Sequence, residues 1–224
     1  MFNIRKSVAT VVAAASLGGL LGAVPVSAQT LNVVMHSDLK ILDPIWTTAY
    51  IVRNHGYLVW DTLFSMDDKL EVKPQMLEKY DVSGDKLTYT FTLRDGLEWH
   101  DGKPVTSEDC IASIKRWGAK DSMGQALMAR VTDMKAVNAK TFTMTLKEPY
   151  GLVLQSLGKP SSNVPFMMPA RVAATDPNTQ IKAEDVIGSG PFIFKRDEWK
   201  PGEKTVYVKN PKYKPRSEPA SGLA

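Results

Sequence analysis

Ser156-Leu157-Gly158-Lys159 has the S-x-x-K spacing in which a lysine amine can activate a serine hydroxyl, and Ser161-Ser162-Asn163 follows it as an S-x-N triplet. Both occur in penicillin-interacting enzymes, where acyl transfer needs a third piece, a K-T-G run. Those enzymes bring the pieces together from separate elements. Here the first two are nearly contiguous, and Lys204-Thr205-Val206 lacks the glycine of the third. The spacing is read as coincidence, with an exported hydrolase of unrecognised active site kept as the alternative class.

Metal and thiol chemistry fare no better. No two of His36, His55 and His100 stand four residues apart, and the single Cys110 gives no thiolate cluster, so no metal site is expected. Cys110 shares a helical face with Ile114 and Trp117 and has no His nearby in sequence, which predicts packing rather than reactivity. His55 on an apolar helix face and His100 beside Asp101 in a turn read as hydrogen-bonded structural residues. Gly188-Ser189-Gly190-Pro191 is too short for a dinucleotide fingerprint, and its proline blocks the helix start that motif needs. No catalytic residue and no cofactor are expected. Aromatic side chains near loops remain. Trp46 and Tyr50 follow Pro44 at a loop-to-helix junction, where rings could line a ligand site as readily as pack, whereas Tyr57, Trp60 and Trp117 read as core.

The elements that would position these residues follow from periodicity. Leu31 to Met35 reads as a first strand, ended by Ser37-Asp38 and Asp43-Pro44. A helix capped by Thr47 or Thr48 should run to about Val59. Leu70 to Val72 and Tyr80 to Val82 are short strand candidates. Leu87 to Leu93 alternates Leu, Tyr, Phe, Leu against three threonines, the pattern of an antiparallel strand with one apolar face. Thr106 with Asp109 three residues on resembles a capping box opening the Cys110 helix. Val131 to Val137 and Thr141 to Leu146 pair around Asn138-Ala139-Lys140. Tyr150 to Leu157 reads as a helix, Asn163 to Met168 as a short apolar stretch, and Ile193 to Lys195 and Thr205 to Lys209 as strands. The tail from Asn210 reads as a linker.

Of 224 residues, the first 28 read as a secretory signal: Arg5 and Lys6, an apolar run, then Val26-Ser27-Ala28 as a cleavage site before Gln29. The remaining 196 residues carry 26 basic against 24 acidic side chains, so the formal charge of +4 falls to +2, too little for a nucleic-acid partner. No cysteine follows the cleavage site to carry a lipid. A free protein in a Gram-negative periplasm is expected.

The order of motifs resembles a known family. Leu42-Asp43-Pro44, Trp60-Asp61-Thr62-Leu63-Phe64, Pro74-Gln75-Met76-Leu77-Glu78, the long run from Leu87 through Arg94-Asp95-Gly96 and Trp99-His100-Asp101-Gly102-Lys103-Pro104 to Asp109, Gly188-Ser189-Gly190-Pro191-Phe192 and Asn210-Pro211-Lys212-Tyr213 are similar to the extracytoplasmic solute-binding proteins, family 5, of dipeptide, oligopeptide and nickel importers. The resemblance implies an α/β, periplasmic binding protein-like fold (class II type, peptide-binding cluster) in which two lobes close on a ligand. It implies a peptide or peptide-like solute as ligand, ABC permease and ATPase subunits as partners, and no catalysis. By analogy, 29–44 and 161–210 form a main subdomain, 45–160 an inserted one, and 211–224 a linker toward a missing second lobe. The chain is thus expected to be an N-terminal lobe, weak in binding alone. Three segments would approach ligand: Trp46, Thr48 and Tyr50; Ser122, Met123 and Gly124; and Ser161, Ser162 and Asn163. Arg53 is the one charged candidate, read more readily as a solvated helix face, and Ser37-Asp38 is a weaker one.

Overall fold

The computed structural model describes residues 30–216; the expected signal peptide, 1–28, lies outside them. Residues 30–34 form part of a unit separate from the remainder. They are irregular chain, with Leu31 and Val34 exposed, so the strand expected from Leu31 is not formed. An apolar run becomes a strand only where a neighbour completes its hydrogen-bond ladder.

From residue 35 the elements run α1 (Tyr50–Val59), β1 (Asp61–Thr62), β2 (Phe64–Met66), β3 (Val72–Pro74), β4 (Leu77–Val82), β5 (Thr88–Leu93), α2 (Ser107–Lys120), α3 (Ser122–Met128), β6 (Val131–Ala136), β7 (Thr141–Leu146), α4 (Val153–Leu157), β8 (Phe166–Met167), α5 (Ala170–Ala173), β9 (Phe192–Phe194) and β10 (Tyr207–Lys209), with 3-10 turns at Ala183–Asp185 and Arg196–Glu198. Among the described residues the largest sheet has the antiparallel order β4-β5-β7-β6; β1–β8, β2–β3 and β9–β10 are two-stranded ribbons.

The alternation read in the sequence appears directly in that sheet. Tyr89, Phe91 and Leu93 of β5 and Phe142, Met144 and Leu146 of β7 are buried. The threonines on the opposite face meet in register, Thr88 with Thr145, Thr90 with Thr143 and Thr92 with Thr141. β-branched residues suit such a half-covered pleat. The buried face joins a continuous core whose largest fully buried side chains include Trp60, Trp117, Phe64, Phe91, Phe142 and Phe166.

α2 packs against α3, α5 and strands β6 to β8. Cys110, Ile114 and Trp117 are fully buried on one face of it, and burial pushes the Cys110 thiol far up, away from thiolate chemistry. The capping box is complete. Thr106 Oγ1 accepts from Asp109 N–H at 3.4 Å, and Asp109 Oδ2 accepts from Thr106 N–H at 2.8 Å. Asp109 Oδ1 also accepts from Ala170 N–H at 2.6 Å, so the cap joins α2 to the start of α5. Thr106→Ala is expected to lower the unfolding free energy by about 1 kcal/mol, measured by urea denaturation; an unchanged midpoint would show the cap to be idle.

Other expectations shift at their edges. α1 begins at Tyr50 with Ala49 as its cap and no side-chain cap bond; Thr47 Oγ1 instead accepts from Ala49 N–H at 3.3 Å, a local turn that leaves it outside the helix. Leu70 sits in a left-handed turn (φ 63°), which moves that strand to Val72–Pro74. Pro149 and Gly151 delay the Tyr150 helix to Val153–Leu157.

Gly188-Ser189-Gly190 closes this part of the fold against the end of α1. A Cβ at Gly188 would lie 1.8 Å from the Val59 carbonyl oxygen, so only glycine fits. Gly190 N–H donates to that oxygen at 2.9 Å. His100 Nδ1 accepts from Gly188 N–H at 3.4 Å, which leaves the proton on Nε2 to donate to the Gly190 carbonyl at 3.1 Å. Burial holds His100 below its usual range and keeps it neutral. Residues 211–216 are tied to the ends of β3 and β5: Arg94 donates to the Lys214 and Pro215 carbonyls at 2.6 and 2.8 Å, and Gln75 to Tyr213 Oη at 2.9 Å.

Candidate functional site

The approach to α1 is organised by a buried carboxylate. Asp43 Oδ1 accepts from Ile45 N–H (3.0 Å), Trp46 N–H (3.3 Å) and Arg116 Nη1 (3.1 Å); Oδ2 accepts from Arg116 Nη2 (2.7 Å) and Ile181 N–H (2.9 Å). The two side chains are 0% and 1% exposed, and Arg116 also donates to the Thr175 and Thr179 carbonyls, each at 3.1 Å. A buried ion pair is tolerated only when its remaining hydrogen-bonding capacity is so filled. The network joins the loop before α1, the middle of α2 and the loop 175–181. Trp46 is the direct beneficiary: its backbone is bonded to Asp43, and its indole N–H donates to the Asn178 carbonyl at 3.2 Å.

Three further contacts bring the remaining candidate segments alongside. Asn163 Nδ2 shares its two N–H groups among the carbonyls of Pro44, Ile45 and Thr47 at 3.3, 3.0 and 3.0 Å, while its own carbonyl accepts from Trp117 Nε1 at 2.7 Å. Arg53 Nη1 donates to Ser161 Oγ at 3.0 Å, and Tyr57 Oη to the Pro160 carbonyl at 3.0 Å. Burial raises the Tyr57 phenol to about 12, against the pull of the Arg53 charge, so it stays a donor. Asp121 caps α3 through Met123 and Gly124 N–H, each at 3.0 Å, and pairs with the Lys159 ammonium.

The nine predicted residues come from three distant stretches that these bonds link: the loop before α1 with its first residue, the start of α3, and the loop after α4. They differ in what they present. Thr48, Tyr50, Ser122 and Ser162 are exposed, and Trp46, Met123 and Ser161 half-buried. Asn163 is buried and its amide is spent on backbone. Gly124 is buried where α3 meets α2: a Cβ there would lie 2.8 Å from the Gly118 Cα and 3.3 Å from the Trp117 ring. Arg53 departs from the solvated helix face expected of it. It is half-buried, lies 4.5 Å from the Tyr50 ring centroid, and is bonded to Ser161. Of the weaker pair, Ser37 is exposed, and Asp38 Oδ2 is buried without a hydrogen-bond partner. Asp43 and Arg116 have no place in the predicted set, although Asp109, Ser113 and Arg116 form an i, i+4, i+7 polar stripe beside the apolar face of α2. All three are buried.

The arrangement offers aromatic area, hydroxyls and one cation, which is the equipment of a binding face. It does not assemble the serine chemistry weighed above: Ser156 is fully buried, and Lys159 is engaged by Asp121. Among the described residues no three His, Cys, Asp or Glu side chains group as metal ligands, and no helix is long and apolar enough to cross a membrane. Two shallow hollows of about 330 Å³ each lie elsewhere, on either side of Asn210 and Pro211.

Comparison with known proteins follows the same direction. Residues 71–221 match the family described as bacterial extracellular solute-binding proteins, family 5 middle. A probable peptide ABC transporter periplasmic-binding protein of Sinorhizobium fredii is 45% identical over 213 residues, covering 95% of this chain and 39% of that protein. A probable D,D-dipeptide-binding periplasmic protein of Escherichia coli is 29% identical, over 79% of this chain and 35% of its own length. Among solved structures, the binding protein AgaA of A. tumefaciens R10, in complex with agropinic acid, superposes with a TM-score of 0.63 at 26% identity, covering 78% of this chain and 34% of that one. The substrate-binding domain of an oligopeptide ABC transporter from Bacillus anthracis gives 0.65 at 18% identity, over 80% and 37%, and so shares the fold. The chain spans between about a quarter and two-fifths of the length of the curated relatives it matches. These relatives are binding proteins, and none supports a hydrolase.

Proposed function

Because the chain belongs to the family 5 bacterial extracellular solute-binding proteins, we propose that it captures a peptide or similar small solute in the periplasm and delivers it to the permease and ATPase subunits of an ABC importer. Relatives named as peptide-binding periplasmic proteins support this reading, and the residues 1–28 read as a signal peptide fit export. What supports it is that the predicted segments are tied to one another: Asn163 to the loop before α1, Arg53 to Ser161, and the start of α3 to Lys159 through Asp121. Rings supply area at little entropy cost, and hydroxyls can bond peptide units without demanding one side chain.

Thr48, Tyr50, Ser122 and Ser162 all stand open to solvent, so this face covers a ligand from one side. Small-molecule sites bury about 70–90% of their ligand. The described residues alone are therefore expected to bind weakly, with tight capture needing a second surface that closes over the solute and signals occupancy to the permease. The check is a fluorescence titration with a panel of di- and tripeptides. A saturable change in tryptophan emission is expected, with affinity reduced about tenfold by Trp46→Ala. No saturable change with any peptide would sink the peptide reading.

A further inference from the structure

We infer that Arg53 is the residue by which this face reads an anionic group, so that the solutes it prefers carry a carboxylate; this rests on the reading of the chain as a solute-binding protein.

Arg53 is not among the arginines that form ion pairs, a trait it shares with Arg94, whose guanidinium donates to the Lys214 and Pro215 carbonyls. Arg116, Arg130 and Arg171 each face a carboxylate, from Asp43 at 2.7 Å, Glu148 at 3.3 Å and Asp185 at 2.6 Å. Arg53 faces none among the described residues. Its partners are neutral: the Tyr50 ring, Ser161 Oγ at 3.0 Å, and Asn54 Oδ1 at 3.4 Å from Nη2. A half-buried cation held only by neutral groups keeps most of its field, and a carboxylate arriving there gains more than one meeting a cation already paired. No acidic residue lies in the first turn of α1, and the carboxylate of Asp121 is spent on Lys159 and the start of α3.

The geometry is also prepared. A guanidinium offers five N–H groups, and the described bonds to Ser161 and Asn54 use two of them. The ring contact and the Ser161 bond hold the fork in one orientation, so little side-chain freedom is left to lose when an anion binds. A purely structural duty is a poor account of this placement. Tyr57 Oη already ties α1 to the same loop through the Pro160 carbonyl at 3.0 Å, without bringing in a charge.

The test titrates the protein with trialanine, trialanine C-terminal amide and succinate, reading tryptophan emission together with the Nε–Hε cross-peak of Arg53 in ¹⁵N-labelled protein. Trialanine is expected to bind about tenfold more tightly than its amide, with that preference falling below about twofold in Arg53→Met and partly retained in Arg53→Lys. An equal preference for the carboxylate in Arg53→Met, with the variant folded by circular dichroism, would overturn the proposal. Ser161→Ala, which keeps the guanidinium and frees its orientation, is expected to weaken the preference without abolishing it; complete loss would assign the effect to the hydroxyl. Failure of both peptides to bind would defeat the peptide reading separately, and the succinate arm still decides here. A saturable shift of the Arg53 cross-peak supports the anion site, and an unmoved cross-peak overturns it.

Discussion

Asp43→Ala is expected to lower the unfolding free energy by about 3–5 kcal/mol, the cost of leaving a buried charge without its counter-ion. The guanidinium of Arg116 would keep the Thr175 and Thr179 carbonyls, which are dipoles and not charges, in a place where its side chain is 1% exposed. Three backbone N–H groups, of Ile45, Trp46 and Ile181, would lose their acceptor at the same time. Arg116→Ala should cost less, because those N–H groups still solvate the carboxylate. The double replacement should cost less than the sum of the singles by at least about 1 kcal/mol, as for groups in one network. Urea denaturation of the four proteins measures this. Simple additivity would show that the two side chains are not coupled. Variants that remain folded should also lose peptide binding, since Trp46 takes its backbone position from Asp43 and its ring position from the loop that Asp43 and Arg116 anchor.

Acidification should expose His55. Its ring lies edge-on to Trp60 and Phe194, with centroids 5.5 and 5.2 Å away, and Nδ1 lies 2.7 Å from Tyr207 Oη. Desolvation lowers its pKa from 6.5 to about 3; the Leu42 carbonyl pulls the other way, yet no hydrogen bond of ordinary geometry reaches Nε2. A folded pKa below the unfolded one means that the unfolded chain takes up the proton first. The stability owed to neutral His55 is complete above 6.5 and is lost as pH falls toward 3. Asp61 acts in the opposite sense. Burial raises it from 3.8 to about 6, outweighing the Thr62 and Gln75 bonds, so its cost is full above 6 and is relieved as pH falls toward 3.8. Between pH 7 and pH 4 the His55 loss is about 3 kcal/mol and the Asp61 gain about 2 kcal/mol. The two partly offset in mild acid, and the net loss grows by only about 1 kcal/mol more below pH 4, levelling off near pH 3. His55→Gln should remove about 3 kcal/mol of acid sensitivity over that interval. Asp61→Asn should leave a chain that weakens from pH 6 downward. Stability profiles of the single variants parallel to that of the parent protein would refute the assignment.

What could be read from sequence follows the range of the forces involved. Alternation in Leu87 to Leu93 and Thr141 to Leu146 is local, and both strands stand where it puts them. So is the Thr106–Asp109 cap. The candidate segments came from the resemblance, and the structure links them by hydrogen bonds. Those bonds were not legible, because each joins residues with no sequence relation, such as Asn163 to Ile45 and Arg53 to Ser161. Arg116 shows the limit best. On a helix, a charged residue next to Trp117 resembles any solvent-facing arginine until its partner, 73 residues earlier, is known. The strand expected at Leu31 failed for the related reason that composition cannot supply a pairing partner.

The Asp43 network has a consequence for the order of folding. Its bonds close separations of 73 residues to Arg116 and 138 residues to Ile181. The β6–β7 hairpin, by contrast, turns within a few residues, and Thr132 reaches Thr145 over 13. Loop-closure entropy and contact order favour the hairpin first and the long closures afterward. Until Ile181 arrives, the aspartate lacks one of its donors, and the loop bearing Trp46 has nothing to hold its ring. The loop that carries Trp46 is thus the last region to mature. Substitutions in the Asp43 network should accelerate unfolding while leaving the folding rate almost unchanged.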